Sequence, residues 1–170
     1  RQHNDIAMEI FHQPTHDFNA ERMLDAMAVS LDYFEENFGP YQFDYARVIE
    51  FPGYATFAQA FAGTVPYSER IGFIANTADK DDIDYVTYVT AHEYGHQYWA
   101  HQLISAYMQG GTVMVETMAQ YSALMVMKQI YGEEQIRRFL KYELDAYLSS
   151  RGSEVIEELP LIRVENQGYI

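Results

Sequence analysis

The chain has no cysteine and few basic residues. Its 170 residues include 11 lysines and arginines against 25 aspartates and glutamates, which gives a net charge of −14 and a pI near 4.6. The lack of cysteine excludes disulfides, thiolate nucleophiles and cysteine-rich zinc knuckles. The charge has the wrong sign for binding phosphate backbones, so nucleic acid is not an expected partner. With 48% apolar and 21% charged residues, the composition predicts one globular domain over residues 1–170.

Apolar runs long enough to span a membrane are also lacking. The 34 residues from Tyr94 to Met127 include one charged side chain, Glu116, but they also contain histidines, glutamines and Gly110-Gly111. A membrane helix needs about 20 apolar residues, so we predict that this stretch is buried in the protein and does not insert into a membrane. The sequence starts at Arg1 and shows no signal-peptide pattern, and we expect it to be a partial domain excised from a longer protein.

Local patterns predict an α+β fold that is mainly α-helical. Apolar residues at helical spacing follow Asn19 until Gly39-Pro40, which predicts a long amphipathic helix. Residues 45–51 and 70–75 combine β-branched and aromatic residues and are predicted strands. The first sixteen residues show no clear period.

Three more helices are predicted in the second half of the chain. The first begins near Asp84 and runs past Trp99, and the other two, 112–131 and 133–150, are separated by Gly132. The acidic loop 79–84 precedes the first of them and suits the positive end of its dipole. Calcium binding is the alternative for this loop, although the glycine and final glutamate of a calcium loop are missing.

A HExxH sequence, His92-Glu93-Tyr94-Gly95-His96, lies inside the first of these helices. Chance would give about 0.02 occurrences in a chain of this composition. Residues four apart on a helix lie one turn above each other, so both imidazoles can reach one metal ion while Glu93 faces the same cleft. The alternative is a pair of hydrogen-bonded histidines on a buried helix.

Glu116 is the expected third ligand, because a catalytic zinc takes three protein ligands and leaves one position for water. A lone carboxylate in uncharged surroundings destabilises the folded state unless a cation neutralises its charge. We therefore predict one Zn²⁺ held by His92, His96 and Glu116, with Glu93 as the catalytic general base. An ordinary acid in the first turn of a helix is the alternative for Glu116.

These residues resemble the gluzincin aminopeptidases of the membrane alanyl aminopeptidase type. In that family HExxH is followed by eighteen residues and then a glutamate, which lies within an Asn-Glu-Gly-Phe-Ala-Ser-Tyr-like string. The corresponding string in this chain is Val115-Glu116-Thr117-Met118-Ala119-Gln120-Tyr121. The resemblance implies a thermolysin-like zinc peptidase catalytic domain with a small sheet before the zinc helix. Here the interval is nineteen residues, 97–115, and we expect the loop at Gly110-Gly111 to hold the extra one. Val115 replaces the family's asparagine.

Two further roles come from the resemblance alone. The family has a Gly-Ala-Met-Glu-Asn motif whose glutamate binds the free amine of the substrate, and Glu69 lies 23 residues before His92, at a comparable distance. A solvated pair with Arg70 is the alternative for Glu69. The family also uses a late tyrosine to stabilise the oxyanion, which implies a catalytic role for Tyr169 or for a residue beyond Ile170.

The resemblance implies a zinc-dependent aminopeptidase that removes N-terminal residues from peptides. The chain is also similar to peptidase-like domains attached to bacterial ABC-type transporter membrane subunits, which implies a bacterial domain tethered to a membrane on its extracytoplasmic side. Two alternatives remain open. One is a catalytically silent zinc-binding domain that serves a transporter in sensing or docking, and the other is a zinc endopeptidase.

Overall fold

A four-stranded sheet and three helices form the part of the chain that the computed structural model describes, residues 1–77, 83–153 and 159–163. The strands are β1 (Gln2–His3), β2 (Ile6–Phe11), β3 (Tyr45–Phe51) and β4 (Thr64–Ser68). The helices are α1 (Ala20–Phe38), α2 (Tyr85–Gly95) and α3 (Met118–Ser153). A π-helical turn, Val113–Thr117, leads into α3, and a 3-10 turn covers Leu161–Arg163.

The sheet has the order β1-β2-β3-β4, with β1 antiparallel to β2 and the other neighbours parallel. Because parallel neighbours need a crossover, α1 connects β2 to β3. The chain between β3 and β4 doubles back along β4, through the antiparallel bridges Ala58↔Tyr67 and Phe61↔Thr64. We call residues 56–61 the edge segment, because they extend the sheet beyond β4.

The predictions for α1 and β3 are confirmed, whereas the strand predicted at residues 70–75 is wrong. Those residues form turns, and the strand lies just before them as β4. Pro66 within β4 lacks an N–H group, which weakens the strand pattern there. The strand β2 was not predicted, since its alternation of buried Ile6 and Met8 covers too few residues to stand out.

Helix α2 lies between α1 and α3 and is buried on nearly every side. The apolar face of α1, with Met23, Met27, Leu31 and Phe34 inaccessible to solvent, packs toward the sheet and α2. A helix surrounded in this way carries no charged face. This explains why the sequence of α2 has almost no hydrophobic period.

The uncharged stretch from Tyr94 to Met127 is only partly buried, which corrects the prediction. Tyr94 and Met127 themselves are buried, but the loop between α2 and α3 exposes 76% of Ile104 and all of Tyr107. Lack of charge therefore did not mean burial in this loop. No helix in the described ranges combines the length and apolar character that a membrane crossing requires.

Gly132 divides α3 into two helical parts. Its backbone has φ 79° and ψ 179°, a conformation outside the helical region that favours glycine. The predicted boundary between two helices at Gly132 is therefore confirmed. The break lets the part after Gly132 fold back against α2, where the Phe139 and Tyr88 rings lie 4.2 Å apart.

Asp84 caps the N-terminus of α2 and links it to both neighbouring helices. Its carboxylate accepts hydrogen bonds from the Thr87 backbone N–H at 3.1 Å and the Thr87 hydroxyl at 2.8 Å. It also pairs with Arg22 of α1 and accepts a hydrogen bond from the Tyr131 hydroxyl of α3. Burial by itself would raise the pKa of Asp84, but the hydrogen bonds from Tyr131 and Thr87 and the charge of Arg22 lower it on balance.

We expect Asp84→Ala to destabilise the protein by about 2 kcal/mol, because it removes an N-cap and leaves its hydrogen-bonding partners without an acceptor. In a domain of this size the change lowers the unfolding temperature by about 4–8 °C. Thermal unfolding followed by circular dichroism measures it. Asp145→Ala is the control, because its ion pair with Lys141 is largely exposed and should change stability by less than about 0.5 kcal/mol. Equal effects of both changes would contradict the capping role.

The stability contributed by Asp84 should depend on pH. Its folded pKa lies below the ordinary value of 3.8, so the contribution is complete above that value and is lost as the pH falls through the lower folded pKa. We expect the difference in unfolding free energy between the wild type and Asp84→Asn to be constant above about pH 5 and to shrink below about pH 4. Urea unfolding at a series of pH values tests this. An undiminished difference at about pH 3 would contradict it.

Candidate active site

Helices α2 and α3 pack closely against each other at Gly95. A Cβ atom at this position would lie 3.2 Å from the Cα and 3.3 Å from the carbonyl oxygen of Ala119. These distances are tighter than ordinary van der Waals contact, so a side chain at this position requires the Ala119 backbone to move by a few tenths of an ångström. Gly95 lies between His92 and His96 in sequence, and Ala119 follows Glu116 by three residues. The contact therefore brings the helix with the two histidines against the segment with the glutamate.

The side chains of His92, His96 and Glu116 converge on one point. The two Nε2 atoms are 3.1 Å apart, and Glu116 Oε2 lies 3.5 Å from the first and 3.3 Å from the second. The imidazole rings are almost perpendicular, at 87°. These three residues are one of two groups in the described residues whose donor atoms could hold a metal ion.

The triad fits a zinc ion by its chemistry and its spacing. Two nitrogens and a carboxylate oxygen are common zinc donors, and in a tetrahedral site they lie about 3.3 Å apart, since each is about 2.0–2.1 Å from the ion. The three separations in this site bracket that value. His96 Nδ1 lies 3.1 Å from the Trp99 carbonyl oxygen, which fixes the tautomer that leaves Nε2 free to bind a metal. His92 Nδ1 is buried, and none of the residues that the structure describes forms a hydrogen bond with it.

The charges of the triad affect one another. Hydrogen bonds from His92 and His96 hold the pKa of Glu116 well below its usual range, although burial opposes the shift. Burial would lower the pKa of His96, but the neighbouring Glu116 carboxylate more than offsets this and raises it. His96 therefore holds a proton more tightly than a free imidazole does. A metal ion has to displace such a proton, so its affinity for the site depends on pH.

Glu93 lies beside the triad and is 6% exposed. Burial raises the pKa of its carboxyl group, and the negative charge of Glu116 adds to the shift. The two imidazoles and a hydrogen bond from the Ala60 backbone N–H act in the opposite direction but do not cancel it. A carboxylate whose pKa is raised toward neutrality is suited to accept a proton and then release it.

A cavity of about 400 Å³ opens beside His92 and Glu93. Its walls come mainly from α2, from α3 on both sides of Gly132, and from residues 56–58 of the edge segment. Gln97 fixes the edge segment in this position. Its fully buried amide accepts a hydrogen bond from the Gly63 N–H at 2.8 Å and donates one to the Phe61 carbonyl at 2.9 Å. The residue directly after the second histidine therefore holds one wall of the cleft.

The turn that carries Glu116 is π-helical, Val113–Thr117. A π-helical turn has i→i+5 hydrogen bonds and so contains one residue more than an α-helical turn. It lies at the end of the nineteen-residue interval, so it is a second place for the extra residue besides the loop at Gly110-Gly111, where we expected it. Turns of this kind occur frequently at functional sites.

Glu69 does not line the cavity beside the triad. Its Oε1 accepts a hydrogen bond from the Gly53 N–H at 2.8 Å, and its Oε2 lies 3.8 Å from His16 Nδ1. Together with Glu50 it forms the second group of donor atoms, His16, Glu50 and Glu69, near the ends of the three parallel strands. The arrangement does not bring Glu69 together with the zinc triad, so its amine-binding role stays a prediction.

Tyr169 and most of the acidic loop, residues 79–82, lie outside the described residues. In the described cleft, the sequence did not indicate a hydrogen-bonded group of polar residues that line the cavity, Tyr88, Gln120 and Glu143. A signal for Glu143 existed, because it follows buried Phe139 by four residues on the same helix face. The sequence did not indicate that this face packs on α2.

The family model that matches the chain and the similar solved structures belong to one family. The chain matches the Peptidase family M1 domain over residues 22–166. No significantly similar sequence is found among curated proteins.

Solved structures of this family share the fold. An M1 zinc metallopeptidase from Deinococcus radiodurans is 22% identical, with a TM-score of 0.53, and the match covers 90% of this chain and 28% of that one. A glutamate-to-alanine variant from the same organism, bound to a Tyr-Ser-Ala substrate, is 20% identical, with a TM-score of 0.52 and coverage of 93% and 29%. A two-domain M1 zinc metallopeptidase variant bound to L-arginine is also 20% identical, with a TM-score of 0.57 and coverage of 92% and 30%. The chain thus spans less than a third of the length of each of these structures, and it belongs to peptidase family M1.

Proposed function

We propose that this chain forms the catalytic centre of a zinc-dependent aminopeptidase, which removes N-terminal residues from peptides. Membership of family M1 supports a metallopeptidase. The observation that carries the proposal is the triangle of His92 Nε2, His96 Nε2 and Glu116 Oε2, with sides of 3.1, 3.3 and 3.5 Å. In this proposal the three residues are the zinc ligands.

When bound, the metal supplies a positive charge that acidifies a water molecule and polarises the carbonyl of the peptide bond. Glu93 accepts a proton as the water oxygen bonds to the carbonyl carbon. The carbon–nitrogen bond then breaks, and Glu93 returns the proton to the leaving amine. The raised pKa of Glu93 favours both transfers, because the carboxyl group is neither a very weak base nor a very strong acid.

A peptide is the substrate class that the family and its relatives support. One relative is described with a Tyr-Ser-Ala substrate and another with L-arginine. On the resemblance alone, we propose that Tyr169 stabilises the negative oxygen that forms during attack. A zinc endopeptidase with the same triad is the second candidate, favoured by the position of Glu69 outside the catalytic cavity.

We expect His92→Ala and Glu116→Gln each to lower zinc affinity by more than about 100-fold, because each removes one of three protein ligands. Zinc content after dialysis and calorimetric titration of zinc into the metal-free protein measure the change. His12→Ala is the matched control, since the His12 ring stacks on Phe73 and belongs to neither donor group. A wild-type protein that binds no zinc would overturn the proposal.

Glu93→Gln should retain zinc and lose about 10²–10⁴-fold in the hydrolysis of L-alanine p-nitroanilide, because the amide cannot accept the proton of the water. Glu133→Gln is the control, since Glu133 is exposed and pairs with Lys128. Unchanged activity in Glu93→Gln would refute Glu93 as the base. If peptides with an acetylated N-terminus are cleaved at internal bonds as fast as peptides with a free N-terminus, the result favours the endopeptidase.

A further inference from the structure

The cavity beside the triad contains a carboxylate that the proposed mechanism does not use. Glu143 lies on the part of α3 after Gly132 and lines the same cavity as His92 and Glu93. It is half-buried, and so retains access to the cavity. Phe139, one helical turn earlier, is 1% exposed and packs on Tyr88, so the backbone that carries Glu143 is held firmly against α2.

Two neutral groups orient this carboxylate. Its Oε1 accepts a hydrogen bond from Gln120 Nε2 at 3.0 Å and from the Tyr88 hydroxyl at 3.4 Å. Burial and the negative charge of Glu143 raise the pKa of Tyr88, so the phenol stays protonated and acts as a donor. Hydrogen bonds from neutral donors fix a carboxylate in position but do not neutralise its charge.

The described surroundings of Glu143 favour a cation as a ligand for its carboxylate, because the donors that contact it there are neutral. Lys141, two residues earlier on the same helix, forms an ion pair with Asp145 at 2.5 Å. The cavity wall also includes apolar residues, Phe57 and Val89 among them. A ligand that fills the cavity would displace water, and an ion pair formed next to such a wall is less screened than one at the surface.

We propose that Glu143 binds a positively charged group of the substrate, so that the cleft selects peptides with an ammonium or guanidinium group close to the bond that is cleaved. The inference rests on the proposed function, since it assumes that the peptide bond lies at the triad. The charged group has two sources, the α-ammonium of the N-terminal residue and the side chain of lysine or arginine. Either source makes Glu143 a specificity-determining residue.

The test compares binding of three probes to zinc-loaded protein in a Glu93→Gln background, where hydrolysis is suppressed. The probes are L-argininamide, L-leucinamide and Nα-acetyl-L-argininamide, titrated by calorimetry. Glu143→Gln, which keeps the shape and removes the charge, should weaken binding of L-argininamide at least tenfold. If Glu143→Gln also weakens binding of L-leucinamide, the group that Glu143 binds is the α-ammonium. If it weakens binding of Nα-acetyl-L-argininamide, the group is the arginine side chain.

The controls separate this inference from the proposed function. Glu134→Gln removes an exposed carboxylate from the same helix and should leave all three affinities unchanged. Zinc content and unfolding temperature are measured for each variant, so that a loss of binding is attributed to Glu143 only in folded, zinc-loaded protein. A wild-type chain without zinc overturns the proposed function. If the zinc-loaded wild type and Glu143→Gln bind L-argininamide equally well, or if neither binds it, the inference is wrong. Neither outcome contradicts the proposed function.

Discussion

The approach of α2 to α3 at Gly95 is the constraint on which the candidate site depends. His92 lies in α2 and His96 is the helical-geometry residue that caps its C-terminus, so helical geometry alone brings the two imidazoles together. The third donor belongs to another segment, and the close packing of Gly95 on the Ala119 backbone, where a Cβ atom at Gly95 would lie 3.2 Å from the Ala119 Cα, brings it near the imidazoles. The middle positions of the HExxH sequence are therefore not free to vary in this chain, since one of them is the packing surface between helices.

The other elements hold α2 in the position that this contact requires. Asp84 ties its beginning to α1 and to α3, and Gln97 ties the residues just past its end to the turn beside the edge segment. Between these two points the helix is buried, which leaves its two histidines and Glu93 few alternative conformations. Polar anchors at the ends and apolar packing between them give a rigid scaffold for groups that face a cavity.

Three carboxylates near the cavity have different properties because their surroundings differ. Glu93 is buried, which raises its pKa, and Glu116 is beside two imidazoles, which lowers its pKa. Glu143 is oriented by an amide and a phenol. The net charge of −14 does not describe this region well, because what matters there is the position of each acid and the nature of its neighbours.

Much of the site could be predicted from sequence because it depends on local geometry. The spacing of His92 and His96 needs only a helix, and the start of that helix at Asp84 and the break at Gly132 follow from local capping and turn preferences. Contacts between distant segments could not be predicted in this way. The edge segment and Glu143 reach the cavity through tertiary packing. Glu69 lies at a sequence distance from His92 that resembles the family's amine-binding glutamate, but it lines another cavity.

The distribution of the triad over two helices links metal binding to folding. In an unfolded chain the donors of the triad are separated by up to 24 residues of sequence, and no local structure holds Glu116 near the imidazoles. A metal that needs all three donors binds the folded state alone, so it adds about 2.7 kcal/mol to stability when its free concentration is 100 times the dissociation constant. The supply of metal would then set how much of the chain remains folded, apart from any effect on catalysis.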